Sequence, residues 1–324
     1  MQQIFNDFSA FDMLKDKKPL LVCDAAFDYL GIEPPFTYAR FSGFTSNPLY
    51  EDVLAGVNVF LKNKCGFIVA IGGGSSIDAA KGVKYYGRFD VPIMAVPTTS
   101  GTGSEATHFA VVYKDGEKQS IADERLLPDY VVLKPSLLKT LPVYQKKCTM
   151  LDALCQAIES WWSKKATPES VGYSKEAINL IINNMDGYLK NEDAGNKNML
   201  FASHLAGKAI NITTTTAPHA MCYKLTSLYG LPHGHAAALC LPKVWRRMGG
   251  FDDIARALDK PDHTEAILFF EATLRELDIL PPKNVSENDL DVLTNSVNAQ
   301  RLQNNPVDFD KNIIKILYKE ILEV

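Results

Sequence analysis

The sequence predicts an amino-terminal α/β domain with a mostly parallel sheet, followed by an all-helical carboxyl-terminal domain. Up to about residue 140, short apolar segments rich in β-branched residues alternate with segments of helical periodicity, as in βαβ units. After Leu141-Pro142 the strand pattern stops, and only the 3.6-residue periodicity of helices remains. We therefore predict two domains, residues 1–141 and 142–324, with a ligand-binding cleft between them.

Four segments of the first half have the composition of buried parallel strands, each bounded by Gly, Pro or Asp. Residues 50–62 and 77–86 show helical spacing, and Asp115-Gly116 joins two polar-flanked segments as a hairpin beside the sheet. The strand segments are KPLLVCD (18–24), GFIVAIGGG (66–74), VPIMAVPTT (91–99) and DYVVLKP (129–135). The predicted helices of the second half run from MLDALCQAIESWW (150–162) to HTEAILFFEATLRELDI (263–279).

The composition limits the classes of function. A chain of 324 residues with 46% hydrophobic and 22% charged residues has ample material for a core. The formal net charge is -4 and there is no Lys/Arg block, so nucleic acid is not an expected partner. No apolar run approaches the roughly 18 residues of a membrane span, and the amino terminus lacks a signal-peptide core. Six cysteines without a CxxC pair indicate free thiols. We expect a cytoplasmic protein that acts on a small molecule.

Two loops of small residues are candidates for binding a phosphate-bearing cofactor. In IGGGSSIDAAKG (71–82) three glycines follow a strand, and Ser75 and Ser76 can cap the next helix, whose amides would face an anion. PTTSGTGSE (97–105) follows the next strand and again offers small residues and hydroxyls. A capped glycine turn and a flexible surface loop are the alternatives.

Asp24 ends the first predicted strand and can accept hydrogen bonds from the ribose hydroxyls of an adenosine. That role disfavours a 2'-phosphate because of charge repulsion, and so favours NAD over NADP. The carboxylate precedes the glycines, the reverse of the Rossmann order, so the fold is a related one at most. A cap at the strand end is the alternative.

The metal-site candidates lie in the second half. Asp152 and Gln156 are spaced i and i+4 on one helix face, among apolar residues that leave little room for a solvated polar face. His219 and His233 would be about 21 Å apart on one straight helix. Gly230 and Pro232, however, allow the chain to turn back between them. We therefore predict that the histidines and the aspartate meet around a metal, although satisfied buried imidazoles are the commoner fate of isolated histidines.

Five segments, in the same order, resemble the iron-containing, or group III, alcohol dehydrogenases of the dehydroquinate synthase-like fold. The resemblance implies NAD(P) binding at the glycine loops, a divalent metal, iron or zinc, and hydride transfer to a small aldehyde. It also implies a homo-oligomer such as a dimer. The segments are GGGSSIDAAKG, VPTTSGTGSE, LPDYVVLKPSLLKTLP, LDALCQAIE and APHAMCYKLTSLYGLPHG.

The resemblance assigns roles to individual residues. It places Asp24 at the ribose and makes Asp152, His219 and His233 the metal ligands. The dinucleotide loops contain Gly73, Gly74, Ser75, Asp78, Thr98, Thr99 and Thr102.

The chain departs from the family pattern at two site positions. Many members have a histidine ligand where this chain has Gln156, so the metal has either three protein ligands with solvent or a fourth from the amide oxygen. Another active-site histidine is replaced by Tyr223, whose hydroxyl can donate a proton; solvent and His235 are the other candidates. Both ends of the chain also look short, before residue 18 and in the helical tail.

Within the family the closest resemblance is to phosphonoacetaldehyde reductases, which form 2-hydroxyethylphosphonate. Thr213 to Thr216, with Lys224 and Lys208, would then receive an anionic group; capping threonines and solvated lysines are the alternative. Two other functions stay open: a dehydroquinate synthase-type cyclase, and a nucleotide-binding protein without catalysis.

Overall fold

The amino-terminal half is built around a six-stranded parallel sheet. The structure, a computed structural model, describes residues 2–323. The strand order is β1-β8-β5-β4-β2-β3, and all five pairings are parallel. The elements of this half are β1 (Gln3–Phe5), β2 (Pro19–Cys23), β3 (Ala39–Phe41), α1 (Tyr50–Lys62), β4 (Phe67–Gly72), α2 (Gly74–Gly87), β5 (Ile93–Pro97), β6 (Phe109–Lys114), β7 (Glu117–Ala122) and β8 (Tyr130–Val132).

The predicted α/β class is confirmed, and the four predicted strands are β2, β4, β5 and β8. Every residue of β2, β4 and β5 is buried, which explains their continuous apolar sequences. The edge strands β1 and β3 were not predicted, because their three residues are partly exposed and lack a continuous apolar run. Strand β1 and a 3-10 helix over Phe8–Leu14 occupy the region before residue 18 that had looked short.

The predicted hairpin is present as a separate two-stranded antiparallel sheet, β6 with β7. Asp115 and Gly116 form its turn with φ values of 53° and 76°, the left-handed conformation that a two-residue hairpin turn requires. Tyr113 pairs with Lys118 in the register. The hairpin packs on α2, and β7 carries Lys118 and Ser120 on one face because they are two residues apart.

The second half is helical, as predicted, and α3 lies at its centre. Helix α3 packs against α4, α5 and α7, and almost all of its residues after Thr149 are buried. The helices are α3 (Val143–Trp162), α4 (Pro168–Leu189), α5 (Asp193–Thr213), α6 (Ala217–Tyr229), α7 (His233–Met248), α8 (Asp252–Ala257), α9 (His263–Glu276), α10 (Glu287–Ser296), α11 (Ala299–Leu302) and α12 (Lys311–Leu322).

Helix α3 begins at Val143, one residue after the predicted start of the second domain. The exact division of the chain at residue 141 stays a prediction. Over residues 2–323, none of the helices combines the length and the apolar character that crossing a membrane requires.

Candidate metal and cofactor site

Asp152, His219 and His233 come together at one point between three helices. One ligand atom of each lies within 4.8 Å of the others, which is the spacing of a metal-binding group. His219 Nε2 is 3.2 Å from Asp152 Oδ1, and His233 Nε2 is 3.9 Å from the same oxygen. Asp152 and His219 are buried, whereas His233 is half-buried.

The chain brings the two histidines together by the turn that the sequence permits. Helix α6 begins after Thr216, with Pro218 in its first turn, and ends at Gly230, whose φ of 67° is left-handed. Pro232 then precedes α7, so that His233 is the first residue of the new helix. The two imidazole ring centres are 5.1 Å apart, far closer than they would be on one straight helix.

Glu159 holds His219 in place, a role that sequence reasoning missed. Its carboxylate is fully buried, and Oε1 accepts a hydrogen bond from His219 Nδ1. Its Oε2 accepts from the backbone N–H of Thr216 at 2.8 Å and from the Thr216 hydroxyl at 2.9 Å. With Nδ1 bonded to Glu159, Nε2 of His219 is the atom directed at Asp152. The spacing from Asp152 to Glu159, seven residues on α3, was the available signal.

The carboxylates and imidazoles shift one another's protonation. Burial would lower the pKa of His219, but Glu159 and Asp152 raise it to about 9. Burial lowers the pKa of His233 to about 4 despite the opposing effect of Asp152. Burial would also raise the pKa of Asp152, but the two histidines hold it below the usual value. The cluster therefore favours one positive charge between Asp152 and His219, which a proton or a metal cation can supply.

The two glycine-rich loops lie against each other, as expected for a shared cofactor site. A Cβ atom on Gly73 would be 3.2 Å from Thr99 Cγ2, and one on Gly74 would be 2.8 Å from Thr102 Cγ2. The backbone N–H of Thr98 donates to Gly72 O at 3.0 Å. Both loops follow the carboxyl ends of neighbouring strands, β4 and β5, where ligands of open α/β sheets bind.

Asp24 and Ser75, two other candidates in this region, have hydrogen-bond partners within the protein. Asp24 caps a short 3-10 helix through the backbone N–H of Ala26 at 2.9 Å, and its second oxygen is 3.5 Å from Ser76 Oγ. It thus both caps the strand end and adjoins the glycine loop. The Ser75 hydroxyl donates to Ser46 O.

The cofactor-binding role of Asp78 stays a prediction, and both of its carboxylate oxygens have partners within the protein. Its two oxygens accept from the Ser104 hydroxyl at 2.6 Å and from the Val111 N–H at 3.0 Å. It therefore fastens α2 to the second loop and to the hairpin, because a buried carboxylate needs such donors.

Residues 9–135 match the family described as "Iron-containing alcohol dehydrogenase", and residues 147–322 match "Fe-containing alcohol dehydrogenase family, C-terminal". The chain belongs to the iron-containing alcohol dehydrogenase family. It is accordingly an NAD- and metal-dependent oxidoreductase of alcohols and aldehydes.

Three proteins that are similar to this chain are named for different substrates. The 1,3-propanediol dehydrogenase of Citrobacter freundii is 34% identical over 265 residues, covering 72% of this chain and 68% of that protein. The phosphonoacetaldehyde reductase of Streptomyces viridochromogenes is 35% identical, over 55% of this chain and 52% of that protein. The structure of sulfoacetaldehyde reductase from Bifidobacterium kashiwanohense, in complex with NAD+, has a TM-score of 0.91 at 25% identity and covers 100% of this chain and 97% of that chain.

Gln156, where many members of the iron-containing family carry histidine, lies one turn from Asp152 on α3. Its side chain is only 3% exposed. Within residues 2–323 its amide oxygen Oε1 has no hydrogen-bond donor, although it is buried. A buried carbonyl oxygen without a partner is costly, so this atom is suited to coordinate a cation.

Tyr223, the other departure from the family pattern, stacks on His233 with ring centres 5.4 Å apart and an angle of 23°. Its hydroxyl accepts a hydrogen bond from Arg301 Nη1 at 2.7 Å. Burial raises its pKa, so the phenol keeps its proton at neutral pH. Tyr223 thus contacts both His233 and the guanidinium of Arg301.

The prediction that His235 donates a proton is not supported by its position. Nδ1 of His235 is 2.9 Å from the Tyr144 hydroxyl, and Nε2 is 2.8 Å from the carbonyl oxygen of Leu280. Both ring nitrogens are therefore engaged, and the imidazole ties α7 to α3 and to the segment after α9. His235 lies two residues after His233, so the helix directs it away from the cluster.

The predicted anion site at Thr213 to Thr216 stays a prediction, although several of its groups have partners within the protein. The hydroxyls of Thr213 and Thr216 bond to Ser160 and Glu159 inside the protein. Asn304 donates to Thr213 O, the Thr214 hydroxyl and Thr215 O, and the segment forms a turn in which Thr213 and Thr216 are buried and the two threonines between them are half-buried. Lys208 packs over the ring of Tyr173, with Nζ 4.1 Å from its centre.

Proposed function

We propose that Asp152, His219 and His233 hold a divalent metal, with the amide oxygen of Gln156 as a fourth donor, and that the enzyme reduces a small aldehyde with NADH. The observations that carry this proposal are the approach of one ligand atom each from Asp152, His219 and His233 to within 4.8 Å, and the buried, unpartnered Oε1 of Gln156 one turn along α3 from Asp152. Oxygen and imidazole donors of this kind suit iron or zinc.

A divalent ion held there supplies Lewis-acid polarisation of the carbonyl oxygen, and NADH supplies the hydride. The chain's own residues orient the metal ligands and exclude water. Glu159 fixes the ring of His219, and the buried face of α3 keeps water from Asp152. Tyr223 is the candidate proton donor, because its hydroxyl is protonated at neutral pH and its ring stacks on the ligand His233.

For the cofactor, we propose that Gly73, Gly74, Thr98, Thr99 and Thr102 surround the pyrophosphate. The close packing of the two loops supports this, since only glycine leaves room for backbone to approach a bulky anion. Asp24 would accept from the ribose hydroxyls and so favour NAD over NADP. A lower KM for NADPH than for NADH would contradict that role.

For the substrate, we propose phosphonoacetaldehyde, reduced to 2-hydroxyethylphosphonate. The similarity to a phosphonoacetaldehyde reductase and to a sulfoacetaldehyde reductase supports an aldehyde with a small anionic group. We further propose that the protein is cytoplasmic and forms a homodimer; light scattering after gel filtration would test the dimer.

The test of the metal site begins with chelator-stripped protein, reloaded separately with iron, zinc and manganese. We expect about one ion per chain by elemental analysis, and NADH oxidation with short aldehydes only in loaded protein. Asp152→Asn should abolish both readouts, whereas Asp253→Asn, an exposed carboxylate on α8, should change neither. If no metal binds, or if Asp152→Asn binds it as wild type does, the proposal fails.

A further inference from the structure

Two cations from distant parts of the chain meet on the ring of Tyr223. Lys118 comes from the hairpin, and its Nζ is 3.0 Å from the ring centre. Arg301 comes from α11; its Cζ is 4.6 Å from the ring centre, and its Nη1 donates to the Tyr223 hydroxyl. Its Nη2 donates to the Ser120 hydroxyl. Because Tyr223 stacks on His233, this cationic pair lies one aromatic ring from the metal ligands.

This cationic pair lacks a direct carboxylate partner in the described part of the chain. Over residues 2–323, neither Lys118 nor Arg301 forms an ion pair with a carboxylate. Both side chains are half-buried, so water screens them incompletely. Burial and the charge of Arg301 lower the pKa of Lys118 to about 7. Two like charges held together at a cleft, without a counter-ion, cost free energy that a bound anion would recover.

We propose that Lys118 and Arg301 bind a tetrahedral oxyanion, a phosphonate or a sulfonate, carried by the aldehyde substrate. This inference rests on the proposed reduction of an aldehyde at the metal. The ring of Tyr223 sets the separation between the carbonyl and the anion, which suits a short substrate that carries both groups on neighbouring carbons.

The two cations offer donors in different directions, which suits a tetrahedral group. A planar carboxylate is best met by two parallel N–H groups of one guanidinium alone. In Arg301 each Nη atom donates one of its two N–H groups to a hydroxyl, on Tyr223 and on Ser120, so three N–H groups remain. A group with three oxygens in different directions can accept from the remaining Arg301 donors and from the Lys118 ammonium together.

The matched test replaces one cation at a time in the metal-loaded enzyme. Lys118→Met and Arg301→Met remove charge at the cationic pair. Lys114→Met is the control, since Lys114 lies on the same hairpin but packs over Tyr50, 4.8 Å from that ring centre. Each variant is assayed with NADH and phosphonoacetaldehyde, sulfoacetaldehyde, malonic semialdehyde and propionaldehyde, and its melting temperature is compared with wild type.

We expect either cation's removal to lower kcat/KM for the phosphonate and sulfonate aldehydes by about 10- to 100-fold, the worth of one charge-assisted hydrogen bond. In Lys118→Met the neutral aldehyde should change by less than about 3-fold. Arg301→Met should lower it further, because it also removes the hydrogen bond to the Tyr223 hydroxyl, and Lys114→Met should match wild type throughout. Arg301→Lys, which keeps the charge, should recover part of the loss. If malonic semialdehyde is preferred by wild type, the tetrahedral class is wrong.

An equilibrium measurement separates binding from chemistry. Methylphosphonate, titrated calorimetrically into metal-loaded enzyme with NAD+, should bind wild type and Lys114→Met but bind Lys118→Met at least about 10-fold more weakly. Equal binding to all three would overturn the inference. So would a rise in the KM for NADH in the Lys118 variant, which would place the cations at the cofactor.

The two proposals fail in different ways. If metal-loaded wild type fails to oxidise NADH with any of the four aldehydes, the proposed function is wrong. If it reduces propionaldehyde well and neither the wild type nor the variants distinguish anionic from neutral aldehydes, the function stands and the anion site is wrong.

Discussion

Replacing Glu159 by glutamine tests how the metal site is supported. The substitution keeps the size of the side chain and removes its charge. Around this carboxylate four donors converge: the Thr216 N–H, the Thr216 hydroxyl, Nδ1–H of His219 and, at 3.5 Å, the backbone N–H of His219. A glutamine has only one oxygen, so whichever way its amide turns, its NH2 group faces one of these donors inside a fully buried site.

The magnitude follows from the bond that is lost. A hydrogen bond to a charged group contributes about 1.5–3 kcal/mol, and about 1.4 kcal/mol corresponds to a tenfold change in an equilibrium constant. If the lost bond is the one that orients His219, metal affinity should fall about 10- to 100-fold, the usual effect of removing an outer partner of a ligating histidine.

The assay is competition for zinc between the protein and a chromophoric chelator, with far-UV circular dichroism to confirm that Glu159→Gln is folded. Activity at saturating metal should recover most of the wild-type value, since the ligands themselves remain. Glu271→Gln on α9, a carboxylate that pairs with Arg246 and Lys243 at the surface, should leave metal affinity unchanged. A folded Glu159→Gln protein with wild-type affinity would refute the reasoning.

Four further predictions address other parts of the site. Gln156→Leu should weaken metal binding, measured by the same competition, by at least the about 10- to 100-fold that loss of an outer partner costs, because it removes a proposed direct oxygen donor. Gly74→Ala should raise the KM for NADH about 10-fold, because its Cβ would be 2.8 Å from Thr102, whereas Gly172→Ala, with open space around it, should not. The kcat/KM for sulfoacetaldehyde, relative to propionaldehyde, should be highest below pH 7 and fall as pH rises through it, because Lys118 with its pKa of about 7 loses its charge while the sulfonate keeps its own. His235→Leu should lower the free energy of unfolding by about 1–3 kcal/mol, leaving two polar partners unpaired, without changing kcat.

The fold could be predicted from the sequence wherever one element had a long, consistent pattern. Residues 50–62 were predicted as a helix and form α1 with the same bounds. The turn between the two histidines was also predictable, because Gly230 and Pro232 each have one dominant conformational effect. Strands β1 and β3 were not, since their three residues are held by pairing with β8 and β2 rather than by their own composition.

Site residues could be predicted from their spacing only where they lie on the same helix. Asp152 and Gln156 were found from their i, i+4 relation, and Glu159 could have been found three residues later. The cationic pair could not, because 183 positions separate Lys118 and Arg301 along the sequence and only the packing of the hairpin and α11 brings them together. Lys224 and Lys208 were proposed instead because they are near in sequence, which is a weak guide to contact.

Tyr223 connects the two parts of the proposed site through the properties of its ring. An aromatic face attracts cations, so it can hold Lys118 and Arg301 close together when no carboxylate does. A protonated imidazole at this position would repel both, and a neutral one would offer a smaller ring to hold them. On the other side the phenol packs on His233, whose pKa of about 4 keeps it neutral. The exchange of histidine for tyrosine therefore removes one titrating group beside the metal ligands and provides the surface on which an anion-binding pair can be built.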